Sequence, residues 1–120
     1  MIDISMGAIE SRFADLIWQN EPLTAAELAK HAEGLLGWKK TTSYTALKRL
    51  CDKGLFQNEN GVVTSRLSRA DYDAAQSEKF IQEQFEGSLP AFLAAFTTHK
   101  TLSAEEIDIL RRMIDNYKED

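Results

Sequence analysis

The residues best equipped for chemistry lie between Lys39 and Lys53, in the run KKTTSYTALKRLCDK. Thr41, Thr42 and Thr45 supply short hydroxyls, and Lys39, Lys40, Lys48, Arg49 and Lys53 supply cations. Short side chains let a helix backbone approach a base edge, while Lys and Arg reach phosphate oxygens or the O6 and N7 of guanine. That is the chemistry of recognition rather than of bond making. No other stretch offers a catalytic set. His31 and His99 have no cysteine or carboxylate at metal-ligand spacing, and there is no Ser/His/Asp or Cys/His combination and no phosphate-cradling glycine loop. Asp71, Asp73, Glu105 and Glu106 read most simply as solvated charges and helix-start carboxylates. The expectation is a protein that is not an enzyme and uses no metal or cofactor.

The elements that must position these residues can be read around them. As a helix, residues 41–53 place Tyr44, Leu47, Leu50 and Cys51 on an apolar stripe, with Thr41, Thr42, Thr45, Lys48, Arg49 and Asp52 on the other side. Gly54 ends the helix, because glycine tolerates the left-handed conformation. Two β-capable runs follow, Leu55–Gln57 and Val62–Leu67, around a turn of Asn58-Glu59-Asn60-Gly61. Asn-Gly between such runs signals a hairpin, since both residues accept positive φ. Arg66 on the returning strand is placed for a phosphate contact, or for none. Upstream, Met6, Ile9, Phe13, Leu16 and Ile17 predict a first helix that Pro22 ends, and Leu23 suggests a short strand. Thr24 and Glu27 form a T-x-x-E capping box on a second helix with Leu28, Ala29, Ala32 and Leu35 inward. Trp38 is a packing anchor at the turn into the third helix. A cationic, hydroxyl-rich face on a short capped helix, followed by a hairpin, is what a winged helix-turn-helix reader of DNA needs. The plainer alternative is a surface helix with a solvated face.

Charge distribution supports the DNA reading although the net charge is −5. Residues 23–70 carry eight Lys and Arg against four Asp and Glu, whereas residues 71–120 carry five against eleven. A binding surface responds to the field within roughly 8–10 Å, so a basic middle in an acidic chain can meet DNA while the acidic parts stay clear of it. No apolar run approaches the roughly 20 residues of a membrane span, and the start, MIDISMGAIESRF, lacks the pattern of a signal peptide. The expectation is a cytoplasmic protein without stable membrane association. Cys51 permits no internal disulfide and falls on the apolar stripe, as a buried structural thiol does.

The last third differs in composition. Asp71–Phe85 predicts a charged helix with apolar Tyr72, Phe80, Ile81 and Phe85. Ser88 caps a short helix carrying Leu89, Phe92, Leu93 and Phe96, with Pro90 in its first turn. Ser103 and Glu106 form a second capping box before a helix with Ile107, Leu110, Ile114 and Tyr117 on one face, widened by Ile109 and Met113. About 50 residues of this kind are marginal alone, so pairing with a second copy is expected. The chain thus divides at 70/71 into a winged-helix DNA-binding domain and a helical dimerisation region: mainly α with a small β-wing. A two-fold dimer would present two reading helices to a palindromic site. Packing of these helices onto the first domain of a monomer, a protein-protein winged helix, and a regulator with a ligand pocket lined by Phe80, Phe85, Phe92 and Phe96 are the alternatives.

The order of elements resembles the penicillinase-repressor family of transcriptional regulators. The carriers are Leu16-Ile17-Trp18, Trp38, Thr42 to Thr45, Leu47-Lys48-Arg49-Leu50 with Lys53-Gly54, Phe96, and Leu102-Ser103 through Ile107. The resemblance implies a homodimeric repressor on a dyad operator in double-stranded DNA, dimerised through its C-terminal helices. In the beta-lactam-responsive members, proteolysis at an Asn-Phe bond relieves repression. The matching pair here is Ala95-Phe96, which makes an upstream sensor or protease the corresponding candidate partner and an antibiotic or stress signal the corresponding trigger. The cysteine-rich terminus of the copper-responsive members has no counterpart, because Cys51 is the single cysteine. Where members often carry proline at the start of the reading helix, this chain has Lys40.

Overall fold

The computed structural model describes residues 2–118. Its elements run α1 (Ala8–Asn20), β1 (Leu23–Thr24), α2 (Ala25–Leu36), α3 (Lys40–Asp52), β2 (Phe56–Glu59), β3 (Val62–Ser65), α4 (Arg69–Phe85), α5 (Leu89–Phe96) and α6 (Ala104–Asn116). The chain forms two compact units, Met1–Ser77 and Glu78–Asp120, with the division inside α4.

The first unit is a winged helix built on one core. Phe13, Ile17, Leu28, Leu50, Leu55, Phe56 and Val63 are its largest fully buried side chains, and they come from all three helices and both wing strands. Burying a side chain of this size contributes about 1.5–3 kcal/mol, so the core sets how the helices meet. The cap at Thr24 forms as the sequence implies: its hydroxyl accepts from the Glu27 N–H at 3.0 Å, and the Glu27 carboxylate accepts from the Thr24 N–H at 2.9 Å. Those bonds to Thr24 hold the Glu27 carboxyl below its ordinary pKa. On α2 the buried face is Ala25, Leu28, Ala29 and Ala32. Leu35, expected inward, is exposed, and Leu36 packs against the core in its place. Ile9, expected on the inner face of α1, is also exposed.

The sheet is antiparallel in the order β1-β3-β2. Asn58 and Glu59, expected in the turn, belong to β2 and pair with Val63 and Val62. Two residues suffice for the turn because Asn60 (φ 55°) and Gly61 (φ 86°) are both left-handed, which matches the twist of the strands. A Cβ on Gly61 would meet nothing within 4 Å, so only backbone conformation penalises a side chain there. Gly61→Ala is expected to lower stability by about 1 kcal/mol with the fold unchanged, as read by denaturant unfolding.

Tyr72 corrects an expectation. Grouped by sequence with the dimerisation residues, it is instead buried in the first unit, 5.3 Å from the Trp18 ring. The start of α4 is fastened there as well. Trp18 Nε1 donates to the Leu67 carbonyl at 2.9 Å, and the Arg69 guanidinium lies 5.5 Å over the Trp18 ring while pairing with Asp15 and Asp73. The exposed edge of Trp18 needs a cover, and Tyr72, one turn into α4, supplies it.

The second unit holds the rest of α4 with α5 and α6. Its aromatic rings gather on one another: Phe85 lies 5.5 Å from Phe92, Phe80 is 6.1 Å from Phe92, and Phe92 is 5.9 Å from Phe96. Ser88 caps α5 through the Ala91 N–H, and the Ser103/Glu106 box starts α6. None of the residues of α5 or α6 is buried within the chain.

Candidate nucleic-acid interface

α3 presents its outer surface because its inner one is occupied. The buried residues are Ser43, Ala46, Leu47 and Leu50, a spacing of i, i+3, i+4 and i+7. The stripe is therefore turned toward Ser43 and Ala46 relative to the one expected from Tyr44, Leu47, Leu50 and Cys51. Tyr44 is exposed and Cys51 only half-buried. Hydrophobicity alone favours Tyr44 and Cys51 for the inner face, but α3 packs on α2, whose buried face carries Ala25, Ala29 and Ala32, and it is the small Ser43 and Ala46 of α3 that are buried. The Ser43 hydroxyl is buried there without a hydrogen-bond partner. Burial pushes the Cys51 thiol up, and the neighbouring Asp52 charge adds to this against the opposing effect of Lys48, so it is a poor nucleophile.

This rotation settles which side chains share the outer face. Trp38, Thr41, Thr42, Thr45, Ala46 and Arg49 line an open depression of about 340 Å³ along one flank of α3. Trp38 forms its end wall while stacking on Phe13 at 5.0 Å, so it serves the core and the surface at once. Its placement follows from the end of α2, where left-handed Gly37 (φ 68°) lets the Trp38 N–H bond back to the Ala32 carbonyl at 3.3 Å. On the opposite flank the Lys40 ammonium lies 5.8 Å over the exposed Tyr44 ring. Tyr44 is a surface residue that sequence reasoning missed, although the spacing of Ser43, Ala46, Leu47 and Leu50 carried the signal.

The cations divide into three states. Among the described residues, Lys39, Lys40, Arg49 and Arg66 make no ion pair and are exposed. Lys48 pairs with Asp52 at 3.1 Å, with both side chains mostly in water. Such a pair contributes well under about 1 kcal/mol and yields readily to a phosphate. Lys53 differs from what the sequence suggested. Its ammonium reaches inward to Glu10 at 2.7 Å and to the Ser5 carbonyl, with only 18% of the side chain exposed. It ties α3 to the N-terminal segment and to α1 rather than reaching outward, because the end of α3 faces the acidic start of α1. Glu10 Oε2 is already buried without a partner, so removing the ammonium leaves that carboxylate uncompensated. Lys53→Met is expected to cost about 1–3 kcal/mol of stability in thermal unfolding, while the salt dependence of DNA binding stays at the wild-type slope.

The wing carries Arg66 just past β3, with its N–H bonded to the Leu55 carbonyl at 2.9 Å. At the base of the wing, the Glu21 carboxylate accepts from the Ser65 N–H at 2.8 Å and from its hydroxyl at 2.9 Å. The wing and α3 therefore belong to one folded unit, and its described residues place the hydroxyls and unpaired cations of the outer face on exposed positions.

Three helices with a two-residue hairpin wing, and a cationic third helix turned outward, define a winged-helix DNA-binding protein. The family model for the penicillinase repressor matches residues 6–116, and the chain belongs to that family. A penicillinase repressor from Bacillus licheniformis is 28% identical over 107 residues, covering 86% of this chain and 84% of that protein. Membership places the chain among DNA-binding transcriptional repressors and not among enzymes. Among the described residues no helix is long and apolar enough to cross a membrane.

Proposed function

We propose that this chain acts as a homodimer that represses transcription from a palindromic operator. Each copy lays α3 in a major groove and its wing beside the backbone. The observation that carries this reading is the outward face of α3, where Thr41, Thr42, Thr45 and unpaired Arg49 share one depression. Thr41, Thr42 and Thr45 meet base edges, and Arg49 reaches a guanine. Lys39, Lys40, Lys48 and Arg66 hold phosphates. Lys53 is left out of this set, since its ammonium is engaged with Glu10.

Dimerisation falls to the second unit, through Phe80, Ile81, Phe85, Leu89, Phe92, Leu93, Phe96, Ile107, Leu110 and Ile114. The exposure of Phe80, Leu89, Phe96, Ile107 and Ile114 in the single chain supports this. Release by an upstream protease would act at Ala95–Phe96, in the exposed last turn of α5. That turn is held by the Thr97 N–H on the Leu93 carbonyl at 3.0 Å and would have to unwind to enter an active site. A cut there separates α6 from α5 and α4.

The test is titration of the purified protein onto the DNA upstream of its own gene across a salt series, with a random duplex of equal length as control. A clear margin over random, a steep salt slope and two protomers per site are expected. Equal weak binding to both duplexes would end the operator reading.

A further inference from the structure

The three threonines of the reading face differ in what their hydroxyls are doing. The Thr45 hydroxyl donates to the Thr41 carbonyl, one turn back along α3, at 2.9 Å. Among the described residues the Thr41 and Thr42 hydroxyls make no hydrogen bond. A threonine has one hydroxyl proton, and at Thr45 the helix backbone has taken it. The other γ group of this exposed side chain is its methyl. Thr45 lines the depression together with Ala46, whose side chain is a methyl, Trp38 and Arg49. At this position the face therefore has no free hydroxyl donor and carries a methyl group, whereas the Thr41 and Thr42 hydroxyls keep theirs.

In the major groove, one base presents an apolar group of matching size: thymine, through its C5 methyl. We infer that Thr45 is the specificity-determining residue for a thymine in each half-site, reading its 5-methyl group by apolar contact rather than by a hydrogen bond. This rests on the operator reading above and adds a base identity to it. It also assigns different work to neighbouring residues of one type. Thr41 and Thr42 are free to donate to a base or a phosphate, and Thr45 is not.

Deoxyuridine differs from thymidine by that methyl alone, so it probes the contact without changing pairing. In the upstream duplex, each thymine is replaced singly by deoxyuridine and the affinity of the full chain is measured. One position per half-site is expected to lose about three- to fivefold in affinity, the magnitude of one buried methyl. Thr45→Val, which keeps a branched apolar surface and drops the hydroxyl, retains both affinity and the thymine preference. Thr45→Ser, which keeps the hydroxyl and drops the methyl, binds the thymine and uracil duplexes equally at that position and keeps the other positions unchanged. If Thr45→Val loses the preference while Thr45→Ser retains it, the hydroxyl is the reading group and the inference is overturned. It is overturned alone if the protein prefers the upstream DNA over random but no single methyl matters. No preference for upstream over random DNA would sink the operator reading and this inference together.

Discussion

Ile114→Glu is expected to convert the protein from dimer to monomer and to weaken operator binding by about 100-fold or more. Ile114 is 71% exposed in the single chain, beside Met113 at 63% and Tyr117 at 75%. Three large apolar side chains so placed on one helix end are left exposed in the single chain, and in the proposed dimer a second copy would cover them by two-fold symmetry. The same exposure means that glutamate at this position does not disturb the fold of the chain: α6 keeps its capping box, and the carboxylate stands in water. In a dimer it would lie in an apolar contact, near its symmetry mate, where burial of a charge is heavily disfavoured. The effect on DNA follows from geometry. Two α3 helices on one molecule make the second half-site binding intramolecular, and loss of the link forfeits a gain of about 10²–10⁴ in affinity. Sedimentation equilibrium reads the oligomeric state and a titration on full and half operators reads the rest. A variant that remains dimeric with wild-type affinity would place the dimer contact elsewhere.

Arg49→Ala is expected to weaken specific binding by about 1–3 kcal/mol, or roughly 5- to 150-fold, and to relax selection at one guanine. Arg49 is the cation that lines the depression with Thr41, Thr42 and Thr45, and it makes no ion pair among the described residues. Its guanidinium therefore gives up no ion pair on meeting a guanine, whose O6 and N7 can accept two parallel N–H groups. Lys48 offers a contrast. It begins paired with Asp52 and carries a point charge, so Lys48→Ala should weaken all sequences alike. Comparing the two variants on operator and random duplexes over a salt series separates the roles. If Arg49→Ala lowers the salt slope by about one and weakens every sequence equally, Arg49 is a phosphate contact.

Much of the architecture was legible along the chain, because local signals and the global fold agree. The capping boxes at Thr24 and Ser103, the cap at Ser88, the stop at Gly54 and the Asn60-Gly61 turn all act over four residues or fewer. The outward placement of Thr41, Thr42, Thr45 and Arg49 was legible for a related reason: a polar residue on an amphipathic helix has few places to go. Three matters were decided only by tertiary structure. The inner stripe of α3 was set by how the helix packs on the rest of the core, with Ser43 and Ala46 inside and Tyr44 outside. Tyr72 was drawn into the first unit by the open edge of Trp18, a residue 54 positions earlier. Lys53 turned inward because the fold sets the end of α3 against Glu10. In each case residue type specifies what a side chain can do, while distant parts of the chain determine which partner it meets.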